Sequence, residues 1–371
     1  MSLPERLLLG PGPSNASPEV LAALGQPLLG HLDPEFLRIL DETSDRLRAA
    51  FRTTNALTLP ISGTGSAGME ACFVNLVEPG DTVIVGVNGV FGERMCEVAR
   101  RCGAEVVRVE APWGEPIDPQ ALLDAHAVAP HARLVAVVHA ETSTGVRSDI
   151  APLCVLQDTD TLLLVDTVTG LAGIPVEIDG WGVDACYSGT QKCLGVPPGL
   201  APVTFSDRAV ERIRTRGTAP QSWYLDLGLI GDYVGAARKY HHTAPVAMVV
   251  ALHAGLGVLL DEGLEASWAR HAAAGERLQS ELETLGFTLL AREGHRLPQL
   301  TTAGLPAGAD EAALRRTMLE RWGIEVGGGL GAFAGTAWRF GLMGHNARER
   351  SVTTVLGAIR ELQASGEMPG A

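Results

Sequence analysis

The chain has 371 residues, of which 46% are hydrophobic and 19% are charged. A chain of this length and composition can bury a large core, which excludes a disordered or fibrous protein and favours two globular domains. Its formal net charge is -14, its sequence pI is near 5.2, and no run is rich in Lys or Arg. These values argue against nucleic acid or an anionic membrane as a partner.

The six cysteines form no C-x-x-C pair and lie mostly in apolar segments, which indicates reduced thiols in a cytosolic protein. Near the N-terminus, Glu5 and a Gly/Pro cluster stand where a signal peptide would carry a basic region and an apolar run. No segment approaches the roughly 18 uninterrupted apolar residues that a membrane-spanning helix needs. We therefore predict a cytoplasmic protein with no membrane partner and no metal site.

From residue 57 to residue 206, short runs rich in Val, Ile and Leu alternate with stretches of helical periodicity. This alternation is typical of a parallel sheet covered by helices, and continuously apolar runs indicate strands buried on both faces. Two apolar helical faces, which begin at Met69 and Met95, should pack on the sheet. The predicted strands cover residues 57–62, 82–87, 106–109, 134–139, 161–166, 185–188 and 201–206.

The pattern changes after about residue 251, where a long helical stretch that ends at Gly286 precedes short strands and further helices. Trp338 and Phe340 alternate with their neighbours as in a strand, and an apolar helical pattern closes the chain. We predict an α/β fold in which a large domain contains a mostly parallel seven-stranded sheet. The predicted divisions are an N-terminal segment at residues 1–15, the large domain at residues 16–250, and a smaller C-terminal α/β domain at residues 251–371.

The segment Ser188-Gly189-Thr190-Gln191-Lys192 follows a predicted strand and precedes a turn rich in Gly and Pro. It puts Lys192 at the end of a sheet strand, beside residues that keep the backbone exposed. A lone lysine in a loop is usually a solvated surface residue. A partly buried lysine beside a cationic ring can instead lose its proton near neutral pH, as Schiff-base chemistry requires.

A single acid, Asp166, ends the apolar run 161–166 and should point into the crevice at the carboxyl edge of the sheet. A carboxylate there can hold the pyridine nitrogen of pyridoxal 5′-phosphate (PLP) protonated, which keeps the ring electron-withdrawing. A helix N-cap or a loop ion pair is the alternative role of such an acid.

The turn Ser62-Gly63-Thr64-Gly65-Ser66-Ala67-Gly68 follows a strand and opens an amphipathic helix. Its backbone N–H groups, its hydroxyls and the helix N-terminus can bind a phosphate. The turn also contains G-x-G-x-x-G, so an NAD-dependent oxidoreductase is an alternative. That function needs an acid at the end of the next strand, whereas this strand ends Gly86-Val87-Asn88-Gly89 and no carboxylate follows before Glu93.

Together these motifs resemble the class V, fold-type I PLP-dependent aminotransferases, most closely the alanine–glyoxylate and serine–glyoxylate (serine–pyruvate) group. The resemblance covers essentially the whole chain, because further motifs follow in the order of the family. They are Leu9-Gly10-Pro11-Gly12-Pro13-Ser14-Asn15, Glu78-Pro79-Gly80-Asp81, Glu141-Thr142-Ser143-Thr144-Gly145-Val146, Tyr240-His241-His242-Thr243 and Arg339-Phe340-Gly341. The resemblance implies an enzyme that transfers the amino group of alanine or serine to glyoxylate or pyruvate by a ping-pong mechanism.

The resemblance also implies roles for individual residues. Lys192 forms the Schiff base with PLP, and Asp166 pairs with the ring nitrogen. Arg339 binds the substrate α-carboxylate with its planar guanidinium, although a surface ion pair is the alternative role of such an arginine. Gly12, in the N-terminal segment that lines the active site, closes the substrate pocket. The remaining residues expected at the cofactor are Thr64, Gly65, Ser66 and Gln191 at the phosphate, and Phe91, Thr142 and Val168 at the ring, with Thr142 also near the substrate.

Tyr240 and Thr243 match positions that in the family reach the phosphate of the neighbouring subunit. The resemblance therefore implies a homodimer with shared active sites. Two other positions depart from the family pattern. Phe91 stands where several relatives carry tryptophan, so less aromatic surface can stack on the ring. Ser66 stands where some relatives carry histidine, and its hydroxyl adds no charge at the phosphate.

Related activities are the alternatives within the family. Pyridoxamine–pyruvate aminotransferase shares the Asp33-Pro34 and Lys192-Cys193-Leu194-Gly195 motifs but lacks the phosphate-binding turn. Ureidoglycine–glyoxylate aminotransferase carries asparagine where Tyr240 stands. The class V lyases, such as cysteine desulfurases, usually carry histidine where this chain has Gln191, and they need a cysteine in the C-terminal region, whereas the last cysteine here is Cys193.

Overall fold

A computed structural model describes residues 3–235 and 237–370. The strands are β1 (Leu7–Leu8), β2 (Leu57–Ser62), β3 (Thr82–Val87), β4 (Glu105–Glu110), β5 (Leu134–Val138), β6 (Ala140–Glu141), β7 (Val146–Arg147), β8 (Leu162–Asp166), β9 (Ala185–Tyr187), β10 (Leu200–Phe205), β11 (Thr288–Leu289), β12 (Leu300–Gly304), β13 (Ile324–Glu325), β14 (Gly327–Gly328) and β15 (Ala337–Gly341). The α-helices are α1 (Pro18–Leu24), α2 (Pro34–Phe51), α3 (Gly65–Leu76), α4 (Val90–Arg101), α5 (Pro119–Val128), α6 (Asp207–Thr215), α7 (Leu227–Val234), α8 (Val246–Glu262), α9 (Leu264–Thr284), α10 (Glu311–Trp322) and α11 (Glu349–Ala364).

The large sheet has seven strands in the order β2-β10-β9-β8-β5-β3-β4. Strand β10 runs antiparallel to both of its neighbours, and the other pairs are parallel. The predicted mostly parallel, seven-stranded sheet is therefore confirmed, and each predicted strand lies within one residue of the observed bounds. The agreement follows from burial, because β3, β5, β8, β9 and β10 are buried at every position and are therefore mainly apolar.

Helices cover both faces of this sheet. On one face, Met69 and Phe73 of α3 and Met95 and Ala99 of α4 are at most 1% exposed and pack in one core with the strands, as predicted. On the other face, α2, α5 and α8 contribute to a second core. Burial of each large apolar side chain stabilises the fold by about 1.5–3 kcal/mol. Within the described residues no single helix is long and apolar enough to cross a bilayer. Helices α8 and α9, which are bent by 85° relative to each other, reach the required length and hydropathy only when they are taken together.

The expected alternation of strand and helix is wrong between β8 and β9. Residues 167–184 form turns there, without an α-helix. Four glycines and Pro175 lie in this segment, and each of these residues disfavours a helix interior. The chain therefore turns back tightly behind the carboxyl end of β8, which keeps Asp166 close to the end of β9.

A second, antiparallel sheet has the order β11-β12-β15-β14 and packs with α9, α10 and α11 around a third core. Strand β1 pairs in parallel with β13, which ties the N-terminal segment to the C-terminal part of the chain. Helix α8 runs through residue 250, and its Leu252 and Leu256 pack in the core of the large sheet. The division of the chain at residues 15 and 250 stays a prediction.

Candidate active site

Lys192 lies in the connection between β9 and β10 and is only 8% exposed. The connection is closed by the Val196 N–H, which donates to the Thr190 carbonyl at 3.1 Å, and by the Thr190 hydroxyl, which donates to the Pro197 carbonyl at 2.8 Å. Burial of the amine, together with the nearby positive charge of Arg339, lowers the pKa of Lys192 to about 8. With this pKa, roughly a tenth of the amines are neutral at pH 7 and about half are neutral at pH 8.

Asp166 ends β8 and is 2% exposed. Burial raises the pKa of its carboxyl group to about 7, while hydrogen bonds oppose this rise. The Tyr187 hydroxyl donates to Oδ2 and the Val168 N–H donates to Oδ1, both at 2.7 Å. Two donors on one carboxylate favour its ionised form. No α-helix begins at Asp166, so the alternative role of a helix N-cap does not apply.

The N-terminal segment lies directly against the lysine. The Lys192 amine donates a hydrogen bond to the Pro11 carbonyl oxygen. A Cβ atom at Gly12 would lie 2.8 Å from Lys192 Nζ, and the φ angle of Gly12 is 113°. Both the close approach and the positive φ require glycine at this position. The charge of Asp166 raises the pKa of Lys192 against the effect of burial, which indicates that the two groups are near each other.

The glycine-rich turn reaches the same site from β2. Thr64 is the N-cap residue of α3, but its hydroxyl makes no capping hydrogen bond. A Cβ atom at Gly65 would lie 3.0 Å from the Val168 side chain, so the turn packs against the residues that follow Asp166. Gln191 Oε1 is buried and has no hydrogen-bond partner within the described residues. Thr64 and Gln191 thus retain polar atoms that can bind a further group.

Arg339 enters from β15 of the second sheet and is 7% exposed. Its Nη1 donates to the Thr142 carbonyl at 3.2 Å, and its Nε donates to the Gly328 carbonyl at 2.9 Å. Burial lowers the pKa of Arg339 to about 10, and the charge of Glu141 opposes this change. A surface ion pair is excluded by the burial, and the other guanidinium N–H groups can bind a carboxylate.

Glu141 is a site residue to which the sequence motifs assigned no role. This carboxylate is fully buried, and burial raises its pKa against the effect of its hydrogen bonds. Its Oε1 accepts from the Ser143 N–H at 3.0 Å and from the Ser143 hydroxyl at 2.6 Å, and its Oε2 accepts from the Phe91 N–H at 3.2 Å. The Val90 N–H donates to Ser143 Oγ at 2.9 Å. Glu141 and Ser143 therefore cap the first turn of α4, which begins without a capping side chain because Gly89 is its N-cap residue.

Tyr240 and Thr243 lie in the segment that precedes α8, and both side chains are exposed. Tyr240 is 56% exposed, and its ring centroid is 5.3 Å from that of His31. Thr243 is also exposed. His242, which lies between these two residues in the sequence, places its Nε2 2.9 Å from Ser62 Oγ at the end of β2. Contacts join Gly12 to Lys192, Gly65 and Asp166 to Val168, and Thr142 to Arg339, whereas Tyr240 and Thr243 are exposed in the single chain.

Comparisons with known proteins show the family and the fold of the chain. A family model described as aminotransferase class-V matches residues 8–348. Alanine–glyoxylate aminotransferase of Callithrix jacchus is 41% identical over 369 residues, which cover 97% of this chain and 88% of the relative. The crystal structure of alanine–glyoxylate aminotransferase from Nostoc sp. has a TM-score of 0.95 and 47% identity, covering 98% of this chain and 96% of that one. The structure of ureidoglycine–glyoxylate aminotransferase from Bacillus subtilis has a TM-score of 0.97 and 34% identity, covering 100% of this chain and 96% of that one.

Proposed function

Because the chain belongs to the class-V aminotransferase family, we propose that it transfers the amino group of alanine or serine to glyoxylate or pyruvate in a ping-pong cycle. It is a PLP-dependent transaminase with the fold-type I architecture. The observation that carries the proposal is the convergence of a buried amine, a buried acid and a buried guanidinium at Lys192, Asp166 and Arg339. The alanine–glyoxylate and the ureidoglycine–glyoxylate aminotransferases among its relatives are both named for glyoxylate, which makes it the first acceptor to test.

The residues of the site fit PLP. A buried amine of lowered pKa suits the aldehyde, and an ionised Asp166 suits a protonated pyridine nitrogen. Thr64 has a hydroxyl free of capping bonds, and Gln191 has a buried oxygen without a partner. When bound, the cofactor supplies an electron-withdrawing ring that stabilises negative charge at the substrate Cα. Thr64, Gly65, Ser66 and Gln191 would hold its phosphate, and Phe91, Thr142 and Val168 would flank its ring.

The side chains of this chain would then divide the work on the substrate. Arg339 would orient the amino acid by binding the carboxylate of the substrate. The Gly328 and Thr142 carbonyl groups hold Nε and Nη1 of Arg339, so the orientation of the planar guanidinium and of its remaining N–H donors is fixed. Lys192 Nζ would accept the proton from Cα of the amino acid and pass it on within that half-reaction, and in the reverse half-reaction it would donate a proton to Cα of the second substrate, because its pKa of about 8 permits both states near neutral pH. The backbone at Gly12 leaves little space beside the amine, which favours small substrates such as alanine and serine.

We also propose a homodimer in which each subunit completes the active site of the other. Tyr240 and Thr243, which the family resemblance assigns to the phosphate of the neighbouring subunit, are exposed in the single chain. Trp223, whose ring centroid lies 4.3 Å from that of His241, is 62% exposed, so apolar surface lies next to the Tyr240–Thr243 segment. Sedimentation analysis tests the dimer, and a monomeric active enzyme would contradict it.

A cytoplasmic location is a further proposal. The six cysteines are all free thiols, which suits a reducing compartment. Detection of the protein in the soluble cytoplasmic fraction of its cell would support the proposal, and recovery from an exported fraction would contradict it.

The decisive experiment separates the two half-reactions. Enzyme saturated with PLP is titrated with single amino acids and then with single 2-oxo acids, and the visible absorbance of the cofactor is followed. We expect alanine or serine to remove the absorbance band and glyoxylate or pyruvate to restore it. Lys192→Ala should abolish turnover, and Arg339→Ala should chiefly raise KM. Failure of every small amino acid to change the spectrum of the wild-type enzyme would refute the proposed function.

A further inference from the structure

Arg94 contacts both positions at which this chain departs from the family pattern. It lies on α4 one helical turn after Phe91, and its side chain is exposed. Its Nη1 donates a hydrogen bond to Ser66 Oγ at 3.1 Å. Its guanidinium carbon lies 4.9 Å from the centroid of the Phe91 ring. One arginine therefore joins the edge of the phosphate-binding turn to the aromatic residue predicted at the cofactor ring.

The positive charge of Arg94 is not neutralised within the part of the chain that the structure describes. The carboxylate nearest to it along the helix, Glu93, is bound by Arg108, whose Nη2 lies 2.5 Å from Glu93 Oε1. Arg94 forms no ion pair among residues 3–235 and 237–370. Its contact with Ser66 uses one N–H group, so several of its five donors are available to an anion.

The phosphate-binding turn itself supplies no full positive charge. Thr64, Gly65 and Ser66 offer hydroxyls, backbone N–H groups and the N-terminus of α3, whose partial charge is about half an elementary charge. A phosphate monoester is largely dianionic at neutral pH. A guanidinium matches such an anion well, because two parallel N–H groups can bind two phosphate oxygens.

We propose that Arg94 is a phosphate-binding residue of this enzyme and supplies the cation at the edge of the turn where Ser66 brings none. This inference rests on the proposed function, since it assumes PLP as the ligand. The Phe91 ring holds the guanidinium by a cation–π contact and limits its freedom before the phosphate arrives. Glu141 and Ser143 accept hydrogen bonds from the backbone at the start of α4, and this helix carries both Phe91 and Arg94.

The test compares two ligands that differ only in the phosphate. Full-length enzyme is freed of cofactor, and its dissociation constants for PLP and for pyridoxal are measured by fluorescence. For Arg94→Gln we expect the dissociation constant for PLP to rise roughly 10-fold, the size of one charge-assisted hydrogen bond in a partly exposed site. The constant for pyridoxal should change less than about twofold. Inorganic phosphate should compete with PLP less strongly in the variant than in the wild type.

Two further variants complete the design. Arg100→Gln removes the same charge from another exposed position of α4 and should leave PLP binding within about twofold of the wild type. Arg94→Lys keeps the charge but loses the planar fork, so it should recover part of the affinity for PLP. If Arg94→Gln is too unstable to measure, the comparison of PLP with pyridoxal is made with Arg94→Lys instead.

Several results would overturn the inference. An unchanged dissociation constant for PLP in Arg94→Gln would overturn it, and so would an equal loss for PLP and pyridoxal, which would mean that Arg94 acts only through Phe91. An effect of the same size in Arg100→Gln would reduce the result to general electrostatics and would also overturn it. A wild-type enzyme that binds PLP tightly but shows no transamination would instead contradict the proposed function and leave this comparison of ligands valid.

Discussion

Replacement of Tyr187 by phenylalanine should shift the pH dependence of cofactor binding. Tyr187 is fully buried, and its hydroxyl donates to Asp166 Oδ2 at 2.7 Å. Burial raises the pKa of Asp166 and this hydrogen bond lowers it, and the net result is a pKa of about 7. A hydrogen bond to a charged group stabilises it by about 1.5–3 kcal/mol. At about 1.4 kcal/mol per pH unit, loss of this donor should raise the pKa of Asp166 by about 1–2.

The sign of the effect follows from the state of Asp166 that binds the cofactor. Only ionised Asp166 can pair with a protonated pyridine nitrogen, so the affinity for PLP should fall as the pH drops below the pKa of Asp166. In Tyr187→Phe this fall should begin at a higher pH than in the wild type. The assay is the dissociation constant for PLP, measured by fluorescence on cofactor-free enzyme across the pH range 5 to 9, roughly two units on either side of the pKa of about 7.

Tyr233 provides a matched control elsewhere in the fold. It is 2% exposed, and its hydroxyl donates to the His31 carbonyl at 2.9 Å. Tyr233→Phe removes the same atom from a buried tyrosine and should cost about 1 kcal/mol of stability without moving the pH profile. If Tyr187→Phe lost comparable stability but kept the wild-type midpoint, the assigned link between Tyr187 and Asp166 would be wrong.

Two further predictions concern buried charges. Lys192→Met should stabilise the cofactor-free enzyme by up to about 3 kcal/mol, because folding lowers the pKa of Lys192 from 10.5 to about 8 and burying the protonated amine is costly. Urea unfolding should show the full gain below pH 8 and its disappearance as the pH rises towards 10.5; a gain independent of pH would contradict this cause. Glu141→Gln should lower the free energy of unfolding by about 1–3 kcal/mol, because an amide nitrogen would face N–H donors that the carboxylate now accepts. Glu70→Gln at an exposed position of α3 is the control and should change stability by less than about 0.5 kcal/mol, so equal losses in both variants would argue against a special role for Glu141.

The strands of the large sheet could be predicted from the sequence because they are buried on both faces. Continuous apolar runs mark such strands even where the helices between them differ in length, and the bounds agree with the structure to within one residue. The segment between β8 and β9 was less predictable. Its apolar residues resemble part of a helix, but its glycines and proline leave it as turns packed against the sheet.

Arg94 and Glu141 illustrate what could not be predicted from sequence. Arg94 meets Ser66 across 28 positions of the chain, and Glu141 meets Phe91 across 50 positions. Both lie within or next to recognisable motifs, but nothing in their local sequence states which distant group they contact. Their partners depend on how α4 is placed over the ends of β2 and β5, which the packing of the whole sheet decides.

By itself the sequence determined which residues end the strands of the sheet, and therefore that Lys192 and Asp166 face its carboxyl edge. The bounds of a strand are a local property, because alternation and apolar runs set where each backbone enters and leaves the core. Only the tertiary structure decided the chemical state of those residues. The amine loses water because Pro11 and Gly12 from the far N-terminus cover it, and the acid gains a donor because Tyr187 lies in the neighbouring strand. Burial and hydrogen-bond partners arise from segments that are distant in the chain, so a local pattern cannot specify them.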